Sequence, residues 1–179
     1  MISKPVIIIG AGGHAKVIAD MARLSGMEIL GFVAPNIEAE VNFCGSKVLG
    51  NDSIIGSYSP DQINLINGIG ALPGKNLRWE VANRMREQGY SFVTLVHPNA
   101  VIATDVELDE GVQVMAGAII QTSVKIGMDT IINTGAIIDH DCHIAKKGES
   151  DAFLHEGQWI ASLVTPNDCG KCCANGTGL

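Results

Sequence analysis

Residues 102–144 read IATDVELDEGVQVMAGAIIQTSVKIGMDTIINTGAIIDHDCHI, and an aliphatic residue occupies every sixth position of this stretch. The eight positions are Ile102, Leu108, Val114, Ile120, Ile126, Ile132, Ile138 and Ile144. Neither the helical period of about 3.6 residues nor the two-residue alternation of a strand produces such a repeat. It predicts a parallel β-helix over residues 96–149, with three short faces and three hexads in each coil.

A second set of positions follows the same period, four residues after each aliphatic one. Most members of this set are small enough to occupy a sharp corner between faces. They are Val106, Val112, Ala118, Val124, Thr130, Ala136, Cys142 and Gly148. The eight hexads amount to fewer than three full coils, and a solenoid needs capped ends and neighbouring coils to bury its core.

The repeat stops beyond residue 144. The next four positions at the six-residue spacing are not aliphatic. They are Ser150, Glu156, Ser162 and Asp168. Two explanations stay open for residues 150–179, which are either a divergent extension or the product of a shifted reading frame or expression artefact. On the second explanation the β-helix is truncated.

The five cysteines are odd in number, and three of them, Cys169, Cys172 and Cys173, lie in the last eleven residues. This spacing does not predict a disulfide framework, and it favours reduced thiols in a cytosol. The C-x-x-C within the cluster is half of a zinc-site pattern, but no second pair of ligands stands at the usual spacing. We therefore expect no metal site.

The N-terminal residues have the pattern of a strand, a tight turn and a helix. Pro5–Ile9 is an apolar, mostly β-branched run, which is typical of a buried parallel strand. The turn Gly10-Ala11-Gly12-Gly13-His14-Ala15 leads into apolar residues at helical spacing, which end at Gly26. These apolar residues are Val17, Ile18, Met21, Ala22 and Leu24.

Further strands and a second helix are predicted before residue 96. The strands are Glu28–Val33, Ile63–Ile66 and Ser91–Val96. The helix is Lys75–Gln88, in which Leu77, Val81 and Met85 recur every fourth residue and Gly89 follows. Strands that alternate with helices predict a small parallel sheet covered by helices, so residues 1–95 are assigned to a Rossmann-like α/β domain.

The glycine turn also fits G-x-G-x-x-A, in which glycines and a helix N-terminus bind phosphate. In dinucleotide enzymes an acidic residue after the second strand binds the ribose, whereas Ala34-Pro35-Asn36 stands here. This favours another phosphate-bearing ligand. An NAD-dependent oxidoreductase, and a tight turn without a ligand, are the alternatives.

Composition excludes several classes of protein. The 179 residues carry a net charge of −7 with only 12 Lys and Arg, which argues against nucleic-acid binding. The apolar run near the N-terminus is too short for a signal peptide, and no stretch reaches the roughly 18 apolar residues of a membrane span. We expect a cytoplasmic protein.

Four segments together resemble one family. They are GAGGHAKVIAD at 10–20, the segment Gly68–Gly70, VHPNAVIA at 96–103 and INTGAIIDHDCHI at 132–144. The chain resembles, over residues 4 to about 145, the bacterial sugar acyltransferases that include sialic acid O-acetyltransferases and UDP-4-amino-sugar N-acetyltransferases. Such enzymes acetylate an amino or hydroxyl group of a sugar for surface-glycan or sialic-acid biosynthesis.

The resemblance implies a homotrimer of left-handed β-helices, a nucleotide sugar in the N-terminal domain and acetyl-CoA, the acyl donor, between adjacent β-helices. It implies that His140 is the catalytic general base and that Asp141 is the acidic residue beside it. A neutral histidine can take a proton from an amine or hydroxyl as that group attacks a thioester. The implied substrate-binding residues are Gly10, Gly12, Gly13, His14, Gly68, Gly70 and Asn133.

Each candidate also has a plainer interpretation. His140 would then be a surface histidine at a corner, and His14 would only cap the first turn. We expect His143 to be structural or secondary, His97 to be a hinge or packing residue at the domain junction, and Cys142 to be buried. If the later coils are missing, the alternative function is a non-catalytic fragment that binds a nucleotide sugar.

Overall fold

The computed structural model describes residues 4–35, 37–71 and 75–144. The chain divides into two compact units between Val93 and Thr94, two residues before the predicted boundary. The predictions for residues 145–179, among them the broken hexad register, the tail and its three cysteines, lie outside the described residues.

The first unit is an α/β domain with one five-stranded sheet. Its elements are β1 (Val6–Ile9), α1 (Gly13–Leu24), β2 (Ile29–Val33), β3 (Asn42–Phe43), β4 (Ser46–Gly50), a 3-10 helix (Asp52–Ser57), β5 (Asn64–Asn67) and α2 (Leu77–Glu87). The strand order is β3-β4-β2-β1-β5. β1, β2, β4 and β5 pair in parallel, whereas β3 is antiparallel to β4. The predicted Rossmann-like domain is therefore confirmed.

The central strand β1 is buried along its whole length. Ile7 and Ile9 belong to a core cluster that includes Val81 and Met85 of α2. Ile7 and Ile9 contact the same cluster because successive residues of a strand point to opposite faces of the sheet. Burying an aliphatic side chain of this size stabilises the fold by about 1.5–3 kcal/mol.

Helix α1 begins after the glycine turn and ends where glycine allows a left-handed conformation. Gly26 has φ +69°, and its N–H donates to the carbonyl of Arg23 at 2.9 Å, which closes the helix. The buried face consists of Ala15, Ile18, Ala19, Met21 and Ala22. Val17 and Leu24, which fit the same apolar spacing, are exposed instead.

The predicted second helix differs from α2 in its buried face. Val81 and Met85 are buried as expected, but Leu77 is exposed and Arg78 is buried in its place. The buried positions 78, 81, 82 and 85 follow the i, i+3, i+4, i+7 spacing of one helix face. An apolar residue at the first position of a helix was therefore a poor guide to which face the helix buries.

The predicted strand Ser91–Val96 was wrong as one element. Phe92 forms a single parallel bridge with Leu65 of β5, and the strand then stops. Leu95 and Val96 pair with Gln113 and Val114 of the second unit. Val96 stands six residues before Ile102, so this short strand is an additional hexad.

The second unit consists of two-residue strands that stack in three parallel sheets. The strands are β6 (Leu95–Val96), β7 (Val101–Ile102), β8 (Glu107–Leu108), β9 (Gln113–Val114), β10 (Ile119–Ile120), β11 (Lys125–Ile126), β12 (Ile131–Ile132), β13 (Ile137–Ile138) and β14 (His143–Ile144). The sheets are β13-β10-β7, β14-β11-β8 and β12-β9-β6. Each strand pairs with the strand 18 residues away, which is the coil length that three hexads predict.

The repeated aliphatic residues form the core of this second unit. Most of them, from Val114 to Ile144, are buried, and Ile102 and Leu108 pack against them at partial exposure. The corner positions Val112, Ala118 and Val124 are buried among them as well. The predicted left-handed parallel β-helix is confirmed, with β6 as a strand that the eight predicted hexads did not include.

Candidate functional site

The glycine turn lies at the carboxyl end of β1, where the neighbouring strand β5 also ends. Gly10 has φ +99°, and its N–H donates to the carbonyl of Val33 at 2.7 Å. The N–H of Gly68 donates to the carbonyl of Ile9 at 2.8 Å. A Cβ on Gly10 would lie 3.3 Å from the carbonyl carbon of Gly68, so the two glycine segments approach closely. Crevices at the carboxyl ends of parallel strands are common ligand sites.

The N-terminus of α1 is open to solvent. Gly12 is its N-cap residue, no side chain from the part of the chain that the structure describes caps the helix, and the first turn contains no acidic residue. Gly12 and Gly13 are exposed, and a Cβ built on either would meet nothing within 4 Å. Exposed N–H groups and the positive end of a helix dipole favour an anion at this position.

His14 and the second glycine segment complete this edge of the sheet. A Cβ on Gly70 would lie 3.4 Å from Cβ of His14. The structure thus brings together six of the predicted substrate-binding residues. They are Gly10, Gly12, Gly13, His14, Gly68 and Gly70. Their role in binding stays a prediction.

Sequence reasoning missed the pair that holds the second glycine segment. Arg78 is buried, and its Nη1 donates to the carbonyls of Asn67 at 2.9 Å and Ile69 at 2.6 Å. Asn67 is also buried, and its Nδ2 donates to the carbonyl of Arg78 at 2.9 Å, while its Oδ1 accepts from the N–H of Ile69 at 3.1 Å. These bonds fix the loop after β5. The signal in the sequence was an arginine at a core position of the α2 face.

His140 and Asp141 lie in the corner between β13 and β14. The side chains are 63% and 74% exposed, and Nδ1 of His140 is 2.7 Å from Oδ2 of Asp141. The N–H of His140 donates to Oδ1 of Asp139 at 2.9 Å. Asp141 has φ +59°, a left-handed conformation that aspartate tolerates at a tight corner. The corner therefore presents the imidazole outward with one nitrogen already paired.

Both neighbouring carboxylates favour the protonated ring. The hydrogen bond to Asp141 raises the pKa of His140, and the charges of Asp139 and Asp141 raise this pKa further. With Nδ1 paired to Asp141, Nε2 is the nitrogen that can exchange a proton with a substrate. This arrangement suits a general base whose charged form is stabilised once it has accepted a proton.

The remaining candidates occupy other positions in the second unit. Asn133 stands in the corner before β13, and His140 stands in the corner after it, so β13 separates them. His97 accepts a hydrogen bond on Nδ1 from the N–H of Asn99 at 3.0 Å, which is a local turn contact. His143 is exposed on β14 in register with Lys125. Cys142 is half-buried rather than fully buried.

Two further properties concern the described residues as a set. Among residues 4–35, 37–71 and 75–144, no three His, Cys, Asp or Glu side chains are grouped so that they could hold a metal ion. Within the same ranges, neither helix has the length and apolar character required to cross a bilayer.

Comparison with known proteins identifies relatives for both units. Residues 5–85 match the family described as the PglD N-terminal domain. A variant of perosamine N-acetyltransferase from Caulobacter crescentus, solved with CoA and GDP-perosamine, is 37% identical with a TM-score of 0.71, and the match covers 81% of this chain and 67% of that one.

Two other structures are similar. The acetyltransferase domain of PglB from Neisseria gonorrhoeae, solved with acetyl coenzyme A, is 29% identical with a TM-score of 0.72, and 80% of this chain and 68% of that one are covered. WeeI from Acinetobacter baumannii shares the fold at 20% identity and a TM-score of 0.66, over 80% of this chain and 68% of that one. The identity to the Caulobacter enzyme, over both units, shows that the chain belongs to the family of bacterial sugar acyltransferases that includes the sialic acid O-acetyltransferases and the UDP-4-amino-sugar N-acetyltransferases.

Proposed function

We propose that this protein transfers an acetyl group from acetyl-CoA to an amino or hydroxyl group of a nucleotide-linked sugar, in surface-glycan or sialic-acid biosynthesis. His140 is the general base of this reaction. The observation that carries the proposal is the outward-facing His140 ring, paired through Nδ1 with Asp141. The CoA and GDP-perosamine in the Caulobacter complex support the choice of substrates.

The chemistry requires one base and no covalent enzyme intermediate. The acceptor nitrogen or oxygen attacks the thioester carbon while Nε2 of His140 takes the proton of the attacking group. The imidazolium is stabilised by Asp141 and Asp139, whose charges raise the pKa of His140. When the carbon–sulfur bond breaks, His140 returns the proton to the CoA thiolate. A base of this kind contributes about 10²–10⁴ in rate.

The glycine turn is proposed as the site of the nucleotide phosphates. Gly12 has φ −104° and ψ −165°, an extended conformation that any residue can adopt, and there is open space around its Cβ position. Neither backbone geometry nor packing requires a glycine here, and Asp, Asn and Ser are stronger N-cap residues than Gly. A phosphate group in that space explains it, because only glycine leaves the helix N-terminus fully accessible.

An aliphatic ladder supports assembly into a homotrimer through one sheet of the β-helix. Val101, Ile119 and Ile137 stack in register on the sheet β13-β10-β7. Val101 is 63% and Ile137 is 45% exposed, although both are apolar. A neighbouring copy would cover this ladder. Light scattering tests the assembly, since Ile137→Lys should lower the mass from that of three chains, whereas an unchanged mass would contradict this interface.

An acceptor panel tests the reaction. The protein is mixed with acetyl-CoA and with UDP- and GDP-linked amino sugars and their hydroxyl counterparts, and thiol release and product mass are measured. We expect thiol release coupled to a product that carries one added acetyl group, for at least one nucleotide sugar. Binding of nucleotide sugars without thiol release from any of them would instead support a binding protein.

A pair of substitutions tests the phosphate site separately. Gly12→Asp should leave the melting temperature unchanged or slightly higher, because aspartate is a favourable N-cap. It should weaken the binding of UDP and GDP, measured by calorimetry, by charge repulsion. Gly12→Asn has the same shape without the charge, so it should weaken binding less. Undiminished binding to both variants would contradict a phosphate at this helix.

A further inference from the structure

One corner of the β-helix is held differently from the others around it. At four corners, the backbone N–H donates to a carbonyl in the preceding coil. These bonds are Gly117 to Asn99 at 3.2 Å, Asp129 to Glu110 at 3.0 Å, Gly135 to Ala116 at 2.9 Å and Asp141 to Thr122 at 3.1 Å. At Ser123 the acceptor is the side chain of Asp105, whose Oδ2 lies 2.9 Å from the backbone nitrogen. A carboxylate thus takes the place of a carbonyl at this corner.

Asp105 binds the corner above it through three donors. Besides the N–H of Ser123, its Oδ2 accepts from Oγ1 of Thr122 at 2.7 Å and from Oγ of Ser123 at 3.1 Å. These bonds, that from Thr122 first, lower the pKa of Asp105 because they stabilise its charged form. Ser123 has φ +60°, which is unfavourable for serine, so the bonds also offset a strained conformation.

The Thr122–Ser123 corner in turn supports the residues proposed for catalysis. The carbonyl of Thr122 accepts the N–H of Asp141 at 3.1 Å. Oδ2 of Asp141 lies 2.7 Å from Nδ1 of His140. Asp105, Ser123 and Asp141 occupy the same corner position in successive coils, 18 residues apart. Hydrogen bonds therefore lead from Asp105 through one corner to the ring of His140.

We propose that Asp105 is a positioning residue, which fixes the Thr122–Ser123 corner and through it the contact of Asp141 with His140. This inference rests on the proposed role of His140. The position of the base then depends on three successive coils, because Asp105, two coils before Asp141, sets the orientation of Asp141, which pairs with His140.

Nuclear magnetic resonance titration of the imidazole provides a readout that needs no substrate. The five histidines of the 179-residue chain are followed against pH, and His140 is assigned through the loss of its signals in His140→Gln. Loosening the Asp141 contact weakens the largest cause of the raised pKa, so Asp105→Ala should lower the pKa of His140. The carboxylates of Asp139 and Asp141 remain in this variant and continue to raise that pKa.

Matched variants separate position from charge. Asp105→Asn removes the charge but keeps an oxygen that can accept from the N–H of Ser123, so it should change the pKa of His140 less than Asp105→Ala does. Thr122→Val removes one donor without changing any charge, and it should shift the pKa in the same direction. Glu107→Gln is the control, because Glu107 is an exposed carboxylate that pairs with Lys125 at 2.9 Å on another strand.

Kinetics complete the test, with a nucleotide sugar that the acceptor panel shows to be acetylated. Asp105→Ala should lower kcat about tenfold, because small misplacement of a catalytic group is costly, while Glu107→Gln leaves kcat unchanged. An unchanged pKa of His140 in Asp105→Ala would overturn the inference, and so would equal shifts in the Ala and Asn variants. Full activity of His140→Gln would instead overturn the proposed base, whatever the Asp105 variants show.

Discussion

Replacing Gly68 with alanine should destabilise the first unit, because the loop after β5 presses directly against β1 and α1. An alanine methyl would lie 2.8 Å from Cγ2 of Ile8, 2.9 Å from Cβ of Ala15 and 2.9 Å from the carbonyl oxygen of Ile9. Ordinary contact begins at 3.4 Å, so these neighbours would have to retreat by about half an ångström. Neither Ala15 nor the β1 backbone has a flexible end that could move aside.

The expected size of this effect follows from two opposing contributions. Overpacking of this kind costs about 1–3 kcal/mol, and the reduced freedom of the unfolded chain offsets about 0.4–1 kcal/mol of it. A net loss of about 1–2 kcal/mol corresponds to a melting temperature lower by about 4–8 °C for each kcal/mol in a unit of this size. Because the same loop carries Gly70 beside His14, affinity for UDP and GDP should fall as well.

Thermal unfolding monitored by circular dichroism measures this effect, with Gly56→Ala as the matched control. A Cβ on Gly56 would meet nothing within 4 Å, so that variant should melt at or above the wild-type temperature. If Gly68→Ala melts like Gly56→Ala, the close approach of the loop to α1 is not a feature of the folded protein, and the reasoning fails.

Three further predictions concern the base, the core and the buried arginine. Asp141→Asn removes the largest cause of the raised pKa of His140, so this pKa should fall. Because the base acts as the neutral ring, the acid limb of the pH profile of kcat/KM should then move to lower pH. An acid limb at the wild-type pH would contradict the pairing of His140 with Asp141. Ile132→Ala should cost about 2–5 kcal/mol in chemical denaturation and Ile132→Val about 0.5–1.5, because Ile132 is buried; equal losses would argue against close packing. Arg78→Met should cost about 2–4 kcal/mol because it removes the hydrogen bonds to the buried carbonyl of Asn67 and the half-buried carbonyl of Ile69; wild-type stability in that variant would contradict the role of Arg78 in fixing the loop.

The β-helix could be predicted from the sequence because every coil requires aliphatic residues at the same positions. Each coil brings the same position to the same core face, so residues such as Ile120 and Ile138 must be aliphatic at a fixed spacing. The strand-turn-helix start was visible for a similar reason, since β1 is buried on both faces and its glycines follow directly. Local patterns of this kind need no knowledge of the partner element.

Other features depended on contacts that local patterns do not record. The strand Asn42–Phe43 has only two residues, one polar and one aromatic, so it is too short to show a period, and it forms only because β4 returns beside it. In the sequence, Leu95 continues the apolar pattern of a strand in the first unit, whereas in the structure it pairs with Gln113 of the β-helix. Arg78 was hidden because an arginine on a helix is usually exposed, whereas here its guanidinium reaches backbone carbonyls of a distant loop.

The candidate site divides in the same way. His140 and Asp141 are adjacent in sequence, so their pairing could be anticipated from the motif, and the structure adds that Nδ1 makes the contact. Asp105 could not be found from local sequence because its partners lie a full coil later. An inspection of the chain at intervals of 18 residues, which the hexads already imply, would have placed Asp105 below Ser123 and Asp141.

The most direct test of the central claim compares two histidine variants in one assay. Single-turnover acetyl transfer from acetyl-CoA to a nucleotide sugar that the acceptor panel shows to be acetylated is measured for His140→Gln and for His143→Gln, which alters an exposed histidine on the next strand. We predict a loss of about 10²–10⁴ in rate for His140→Gln and a rate near wild type for His143→Gln, with both variants melting as the wild type does. A rate for His140→Gln within a few-fold of wild type, or an equal loss in both variants, would contradict His140 as the general base.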